Sequence, residues 1–121
     1  MSYFFDSYAI IEILRGNPEY RKYLDFDLVT STLNISEVYY SLIRELGEEQ
    51  AKKNLRKLNP RLINVIKLHI SLEASRFKFK YRKEKLSYID CLGYILAKSL
   101  SMKFLTGDEK FENKNNVEFV K

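Results

Sequence analysis

The chain holds one cysteine, one histidine and no tryptophan in 121 residues. A lone Cys91 rules out an internal disulfide, and a thiolate metal cluster needs several such ligands. Cys91 lies in an apolar run beside Asp90 and reads as a small buried residue. The lone His69, in Leu68-His69-Ile70, has nothing around it to support a Ser–His–acid triad, so it reads as structural. Proline and glycine are scarce, at two and four, and no linker, repeat or low-complexity tract interrupts the chain. Residues 1–121 therefore read as one domain, long enough for a proper core. No apolar run approaches the ~18 residues that cross a bilayer. Nothing at the N-terminus resembles a signal peptide, because a strand-like run starts almost at once. The expectation is a cytoplasmic protein with no membrane partner.

Charge, by contrast, is plentiful. Lysine and arginine number 21 against 16 aspartates and glutamates, a net charge of +5 and a pI near 9.2. A basic surface favours a polyanion, and nucleic acid is the natural partner.

Tyr3 to Asp6 reads as a first strand, followed by a helix from Ser7 through Leu14 with Ile10, Ile11, Ile13 and Leu14 inward. Gly16-Asn17-Pro18 ends it, and Pro18 suits the first turn of a second helix through Leu24. Asp27 to Ser31 is strand two. A third helix runs from near Asn34 to Gly47, and a charged amphipathic one from Glu48 to Leu58. Leu62 to Leu68 reads as strand three, and Ser71 to about Lys85 as a helix of rising basicity. Ser87 to Leu100 is a helix with apolar Ile89, Leu92, Ile95, Leu96 and Leu100. Lys103 to Thr106 and Val117 to Val120 are strands four and five, around a helical turn at Glu109 to Glu112. Alternating strands and helices predict an α/β fold, a mostly parallel sheet covered on both faces. Phe5-Asp6-Ser7-Tyr8 stands where a glycine-rich phosphate loop would follow strand one, so a dinucleotide or P-loop function is not indicated.

Acids recur where strands give way to helices: Asp6, Glu37, Asp90 and Asp108. Strand C-termini and helix N-termini share one edge of an open α/β sheet, where ligands bind. Carboxylates clustered without histidine or cysteine make a hard-cation site, suited to Mg²⁺ or Mn²⁺. Each acid alone also has a structural role open to it. Asn34-Ile35-Ser36-Glu37 and Ser87-Tyr88-Ile89-Asp90 both match a capping box, and Asp6 and Asp108 could cap the helices that follow them. Capping does not call for convergence, whereas carboxylates brought together repel unless a cation neutralises them.

Phe4-Phe5-Asp6-Ser7, Asn34-Ile35-Ser36-Glu37, Leu86 through Ala97 and Leu105-Thr106-Gly107-Asp108-Glu109-Lys110-Phe111 together resemble the PIN domain, and within it the VapC-type toxins of toxin–antitoxin pairs. The resemblance spans essentially the whole chain in order. It implies a three-layer α/β/α sandwich on a five-stranded parallel sheet with strand one beside strand four. It also implies a Mg²⁺- or Mn²⁺-dependent endoribonuclease, usually dimeric, restrained by a cognate antitoxin. Carried over by position, Asp6, Glu37, Asp90 and Asp108 would be the catalytic metal-site acids, with Glu37 binding metal or orienting water. Thr106 and Ser7 would support them by hydrogen bonds. Two other readings stand beside this one: an RNA-binding or scaffold domain that keeps the acids as caps, and an RNA-processing nuclease without an antitoxin.

Arg76-Phe77-Lys78-Phe79-Lys80-Tyr81-Arg82-Lys83-Glu84-Lys85 interleaves cations with aromatics. Such a stretch can bind phosphates and stack bases, which makes Lys80, Arg82, Lys83 and Lys85 candidate RNA contacts. The alternative is a solvated helix face whose aromatics pack inward. Lys52, Lys53, Arg56 and Lys57 read as solvated; Tyr39 and Tyr40 read as core or half-buried, with an antitoxin or dimer surface as the other reading.

Overall fold

Strand β1 (Tyr3–Phe5) is only three residues long and buried throughout. Its alternation sorts the molecule into layers. Tyr3 and Phe5 join one apolar cluster, with Ala9, Ile10, Val38, Leu42 and Ala51. Phe4 joins the other, with Ile70, Ala74, Cys91, Ile95 and Phe104. Helices α1 (Ser7–Leu14), α2 (Thr32–Leu46) and α3 (Glu48–Arg56) supply the first layer. Helices α4 (Leu68–Lys80) and α5 (Tyr88–Ser99) supply the second. Both faces of the sheet are thus covered at its centre, β1 and β4, and each fully buried phenylalanine there stabilises it by about 2–3 kcal/mol. This is a computed structural model, and it describes residues 2–121.

The remaining strands are β2 (Val29–Ser31), β3 (Arg61–Ile63), β4 (Lys103–Thr106) and β5 (Val117–Phe119). All pair in parallel, in the order β3-β2-β1-β4-β5. The sandwich and the β1–β4 adjacency match the expected fold. The order of strands across the sheet reverses between β1 and β4, where Phe4 pairs with Phe104 and Phe5 with Leu105. A crevice forms at such a switch point because the connections on its two sides leave in opposite directions. Helix α5 seats close against this centre. A Cβ on Gly93 would stand 3.2 Å from the rings of both Phe4 and Phe104.

Several boundaries differ from the sequence reading. Helix α2 starts at Thr32, not near Asn34, because Ser31 caps it by accepting the Asn34 N–H at 3.1 Å. Asn34 and Glu37 therefore do not form a capping box. Residues 18–25 are a 3₁₀ helix. Strand three stops at Ile63, and Leu68 already begins α4. That helix ends at Lys80, with Arg82–Glu84 forming a separate 3₁₀ turn. On α5 the buried face holds Cys91, Tyr94, Ile95, Leu96 and Ala97, while Leu100 is exposed. Tyr40 is 65% exposed and not half-buried; it packs against the Arg44 guanidinium instead. His69 is exposed, and so are Lys52, Lys53, Arg56 and Lys57, as solvated cations should be. Among the described residues no helix is long and apolar enough to cross a membrane.

Candidate metal centre

Asp6 leaves β1 in extended conformation at the N-cap position of α1, yet its side chain makes no capping bond. It is turned into the crevice instead. Its Oδ2 accepts the Thr106 hydroxyl at 2.8 Å. Its Oδ1 is buried without any partner, alone in this among the buried side-chain polar atoms of the described residues. A buried, unsatisfied carboxylate oxygen is costly in the absence of a cation. Burial, and next the charges of Asp90 and Glu37, push the Asp6 carboxyl up to about 8 against the pull of Thr106 and of the Ser7 backbone.

Thr106, at the end of β4, does two jobs with one hydroxyl. It gives its proton to Asp6 and accepts the Asp108 N–H at 3.1 Å. The Thr106-Gly107-Asp108 spacing thereby ties the ends of β1 and β4 together. Asp108 then caps the 3₁₀ helix Glu109–Phe111, accepting the Lys110 N–H at 3.0 Å.

Glu37 is half-buried on the second turn of α2. Burial and then Asp90 raise its pKa, and a hydrogen bond from the Ser7 side chain partly offsets them. Ser7 is itself held by Asn34, whose amide nitrogen donates to the Ser7 hydroxyl at 3.0 Å and whose Oδ1 accepts from Ser31 at 2.6 Å. Asn34 is fully buried. The sequence reading assigned it only a cap, and missed it as the joint between α1 and α2. Its one trace in the sequence is the three-residue spacing to Glu37, which puts both on one helix face.

Asp90 forms the expected capping box. Its Oδ2 accepts the Ser87 N–H at 3.1 Å, and the Ser87 hydroxyl accepts the Asp90 N–H at 3.0 Å. Its pKa is nonetheless raised, by burial first and by Asp108, while the Ser87 bonds and Lys110 pull it down. We predict that Ser87→Ala costs about 1 kcal/mol of stability in urea unfolding, the usual worth of a serine cap. No change in the unfolding midpoint would mean that the cap contributes nothing.

The crevice thus gathers Asp6, Glu37 and Asp90, with Asp108 against Asp90. Among the described residues no three histidine, cysteine, aspartate or glutamate side chains stand close enough to hold one ion together. The donors still fit a hard divalent cation. They are all oxygens, one is orphaned, and Mg²⁺ commonly takes one or two carboxylates and keeps several waters. Of Asp6, Glu37, Asp90 and Asp108, no more than two would reach one ion directly, and the others would act through its waters.

The candidate RNA contacts divide. The Lys85 carbonyl lies 3.5 Å from the ammonium of Lys110, the cation that acts on Asp90. Lys80, Arg82 and Lys83 instead line a separate hollow with Tyr81 and Glu84. Phe77 and Tyr81 pack inward, 4.8 Å apart, but Phe79 is 66% exposed under the Arg82 guanidinium. Lys110, the basic neighbour of Asp90, is a residue that sequence reasoning missed, although it lies within the Thr106–Phe111 motif.

A family model of the PIN domain matches residues 3–117. No protein of curated function matches the chain by sequence. Solved structures similar in fold include the toxin VapC20 of Mycobacterium tuberculosis, which cleaves the sarcin-ricin loop. Its TM-score is 0.77 at 17% identity, with 98% of this chain and 97% of that one covered. VapBC2 of Rickettsia felis, bound to promoter DNA, gives 0.75 at 16% identity over 99% and 98%. A toxin–antitoxin complex from Klebsiella pneumoniae gives 0.72 at 19% identity over 98% and 96%.

Proposed function

The chain belongs to the PIN domain family, and from that membership we propose that it is a Mg²⁺- or Mn²⁺-dependent endoribonuclease, the toxin of a toxin–antitoxin pair. The observation that carries the reading is Asp6. Capping accounts for Asp90 and Asp108, but it leaves a fully buried carboxylate with an orphaned oxygen beside two more acids. Such an arrangement is a liability for folding and an asset for cation binding.

A bound Mg²⁺ or Mn²⁺ would supply the missing positive charge, with Lewis acidity toward a phosphodiester and an attacking water. The chain's own part is positional. Thr106 fixes the Asp6 carboxylate through Oδ2, so that Oδ1 faces the crevice. Asn34 and Ser7 hold the start of α2, and with it Glu37, against α1. Glu37 would orient water or bind the cation. Lys110 offsets the negative charge around Asp90 where an RNA backbone would approach. No side chain here is an evident covalent nucleophile: Cys91 is buried, and burial pushes its thiol up to about 11.

Structural neighbours solved as toxin–antitoxin assemblies support an antitoxin partner; a homodimer and a cytoplasmic location complete the proposal. The decisive experiment is cleavage of a labelled structured RNA by wild-type and Asp90→Asn protein, with Mg²⁺, with Mn²⁺ and with EDTA. Cleavage that needs both the metal and Asp90 is expected. Binding without cleavage in every condition, after any bound antitoxin is removed, would favour a scaffold in which the acids are caps.

A further inference from the structure

A cleft of about 560 Å³ opens beyond the acids, between the end of α4, α5 and the segment leading to β5, and none of the four acids lines it. Its walls carry Lys80, Tyr81, Tyr94, Lys98, Lys114 and Asn115. Glu84, also on its wall, is paired with Lys114 at 2.6 Å. Lys114 is held further by the Lys110 carbonyl at 3.1 Å and the Tyr81 ring at 4.4 Å, and its side chain is only 11% exposed. The one carboxylate of the cleft is thereby neutralised. Lys80 and Lys98 are left exposed, with no anionic partner among the described residues. Each leans on a ring, Lys80 at 5.4 Å from Tyr81 and Lys98 at 5.5 Å from Tyr94. Phe77 packs between the two tyrosines, 4.8 Å from one and 4.7 Å from the other.

We infer that this cleft is a second subsite for single-stranded RNA, holding a nucleotide away from the one at the acids. The inference takes its ligand class from the ribonuclease reading above. Three features favour it. Two unpaired ammonium groups on one cleft suit successive phosphates, and the exposed carboxamides of Asn113 and Asn115 on its wall suit a base edge. The cleft volume lies in the range that takes one small ligand, so a single nucleotide enters where a duplex does not. The cations are also continuous with the metal centre: Lys110 faces Asp90, Lys114 bonds the Lys110 carbonyl, and Lys114 lines the cleft. An acidic peptide would match the charge as well; the ribonuclease reading favours RNA, and polyglutamate competition separates the two.

The test is fluorescence-anisotropy binding of labelled oligouridine in EDTA, so that no metal and no cleavage enter. Wild type is compared with Lys80→Gln/Lys98→Gln and with Lys52→Gln/Lys53→Gln, a pair on α3 that removes the same charge elsewhere. The cleft pair is expected to weaken binding about tenfold and to flatten the salt slope by about 1.4, at ~0.7 per phosphate contact in a single strand. The α3 pair should change little. Equal weakening by both pairs, or by neither, would overturn the subsite, as would polyglutamate competing as well as unlabelled oligouridine. The two readings fail separately. Selective loss in the cleft pair, with no cleavage by wild type in any metal, keeps the subsite and sinks the nuclease. Metal-dependent cleavage with unchanged binding does the reverse.

Discussion

Asp6→Asn is expected to abolish RNA cleavage and, in the same protein, to make the metal-free fold more stable. Losing a partner that merely supports a metal ligand commonly costs 10- to about 100-fold, so losing the ligand itself should exceed that. The stability gain follows from the position of the carboxyl in the folded state. Burial and the neighbouring acids hold it up at about 8, against about 3.9 in an unfolded chain. Between those values the folded protein binds the extra proton, so metal-free stability falls as pH rises from about 4 to about 8. At pH 8 the wild type carries most of that penalty. The asparagine variant, with no charge to bury, should be more stable there by about 2 kcal/mol or more. Urea unfolding in EDTA across this pH range measures both curves. Mg²⁺ should then stabilise the wild type by binding its folded state and leave the variant unmoved. A variant that cleaves RNA, or whose stability tracks the wild type at every pH, would remove Asp6 from the metal site.

Gly107→Ala is expected to be among the most destabilising single changes in the chain. A Cβ there would overlap the Tyr8 ring and the Val120 carbonyl oxygen. The ring could shift, but the carbonyl cannot shift cheaply. Val120 donates its N–H to the Thr106 carbonyl at 2.9 Å, and its own oxygen accepts the Tyr20 hydroxyl. Making room would separate the end of β5 from the end of β4 and disturb the Thr106–Asp108 bond beside the acids. Overpacking costs about 1–3 kcal/mol where side chains can yield. With backbone in the way, about 3 kcal/mol or more is expected, a fall in Tm on the order of 10 °C. Thermal unfolding by circular dichroism checks it. A midpoint within a degree or two of wild type would mean that the C-terminal strand moves aside without cost.

These two residues differ in how far the sequence alone exposes them. Asp6 stands out because it ends an apolar run and opens a helix, a local pattern. Gly107 looks like any turn glycine, since the atoms that forbid a side chain belong to Tyr8 and Val120. Gly47 is the contrasting case. It ends α2 at φ 84° with open space around its missing side chain, so local conformation alone explains it, and the sequence reading places it correctly.

Other differences have the same origin. The strand cores follow from alternation, and α1 from the apolar spacing of Ile10, Ile13 and Leu14 and the break at Gly16, features confined to a few neighbouring residues. Helix α2 starts early because Ser31 and Asn34 bond each other while Asn34 also reaches Ser7, 27 residues away. The β-branched Val65 and Ile66 predict a strand three that continues toward Leu68. Yet β3 lies at the sheet edge, pairs on one side only, with β2, and stops at Ile63.

The order of apolar and charged residues was sufficient for the layered parallel fold, which rests on periodicities of two and 3.6 residues, and it singled out Asp6 and Asp108 after strands and Glu37 and Asp90 in the first two turns of helices. Folding decided the rest. It left Asp6 Oδ1 without a partner and turned Asp90 and Asp108 into caps that still face one crevice. It also paired Lys114 with Glu84, so that Lys80 and Lys98 stand free in the cleft. Each of these is a balance of burial and charge between residues far apart in the chain, and such a balance exists only once the layers have closed.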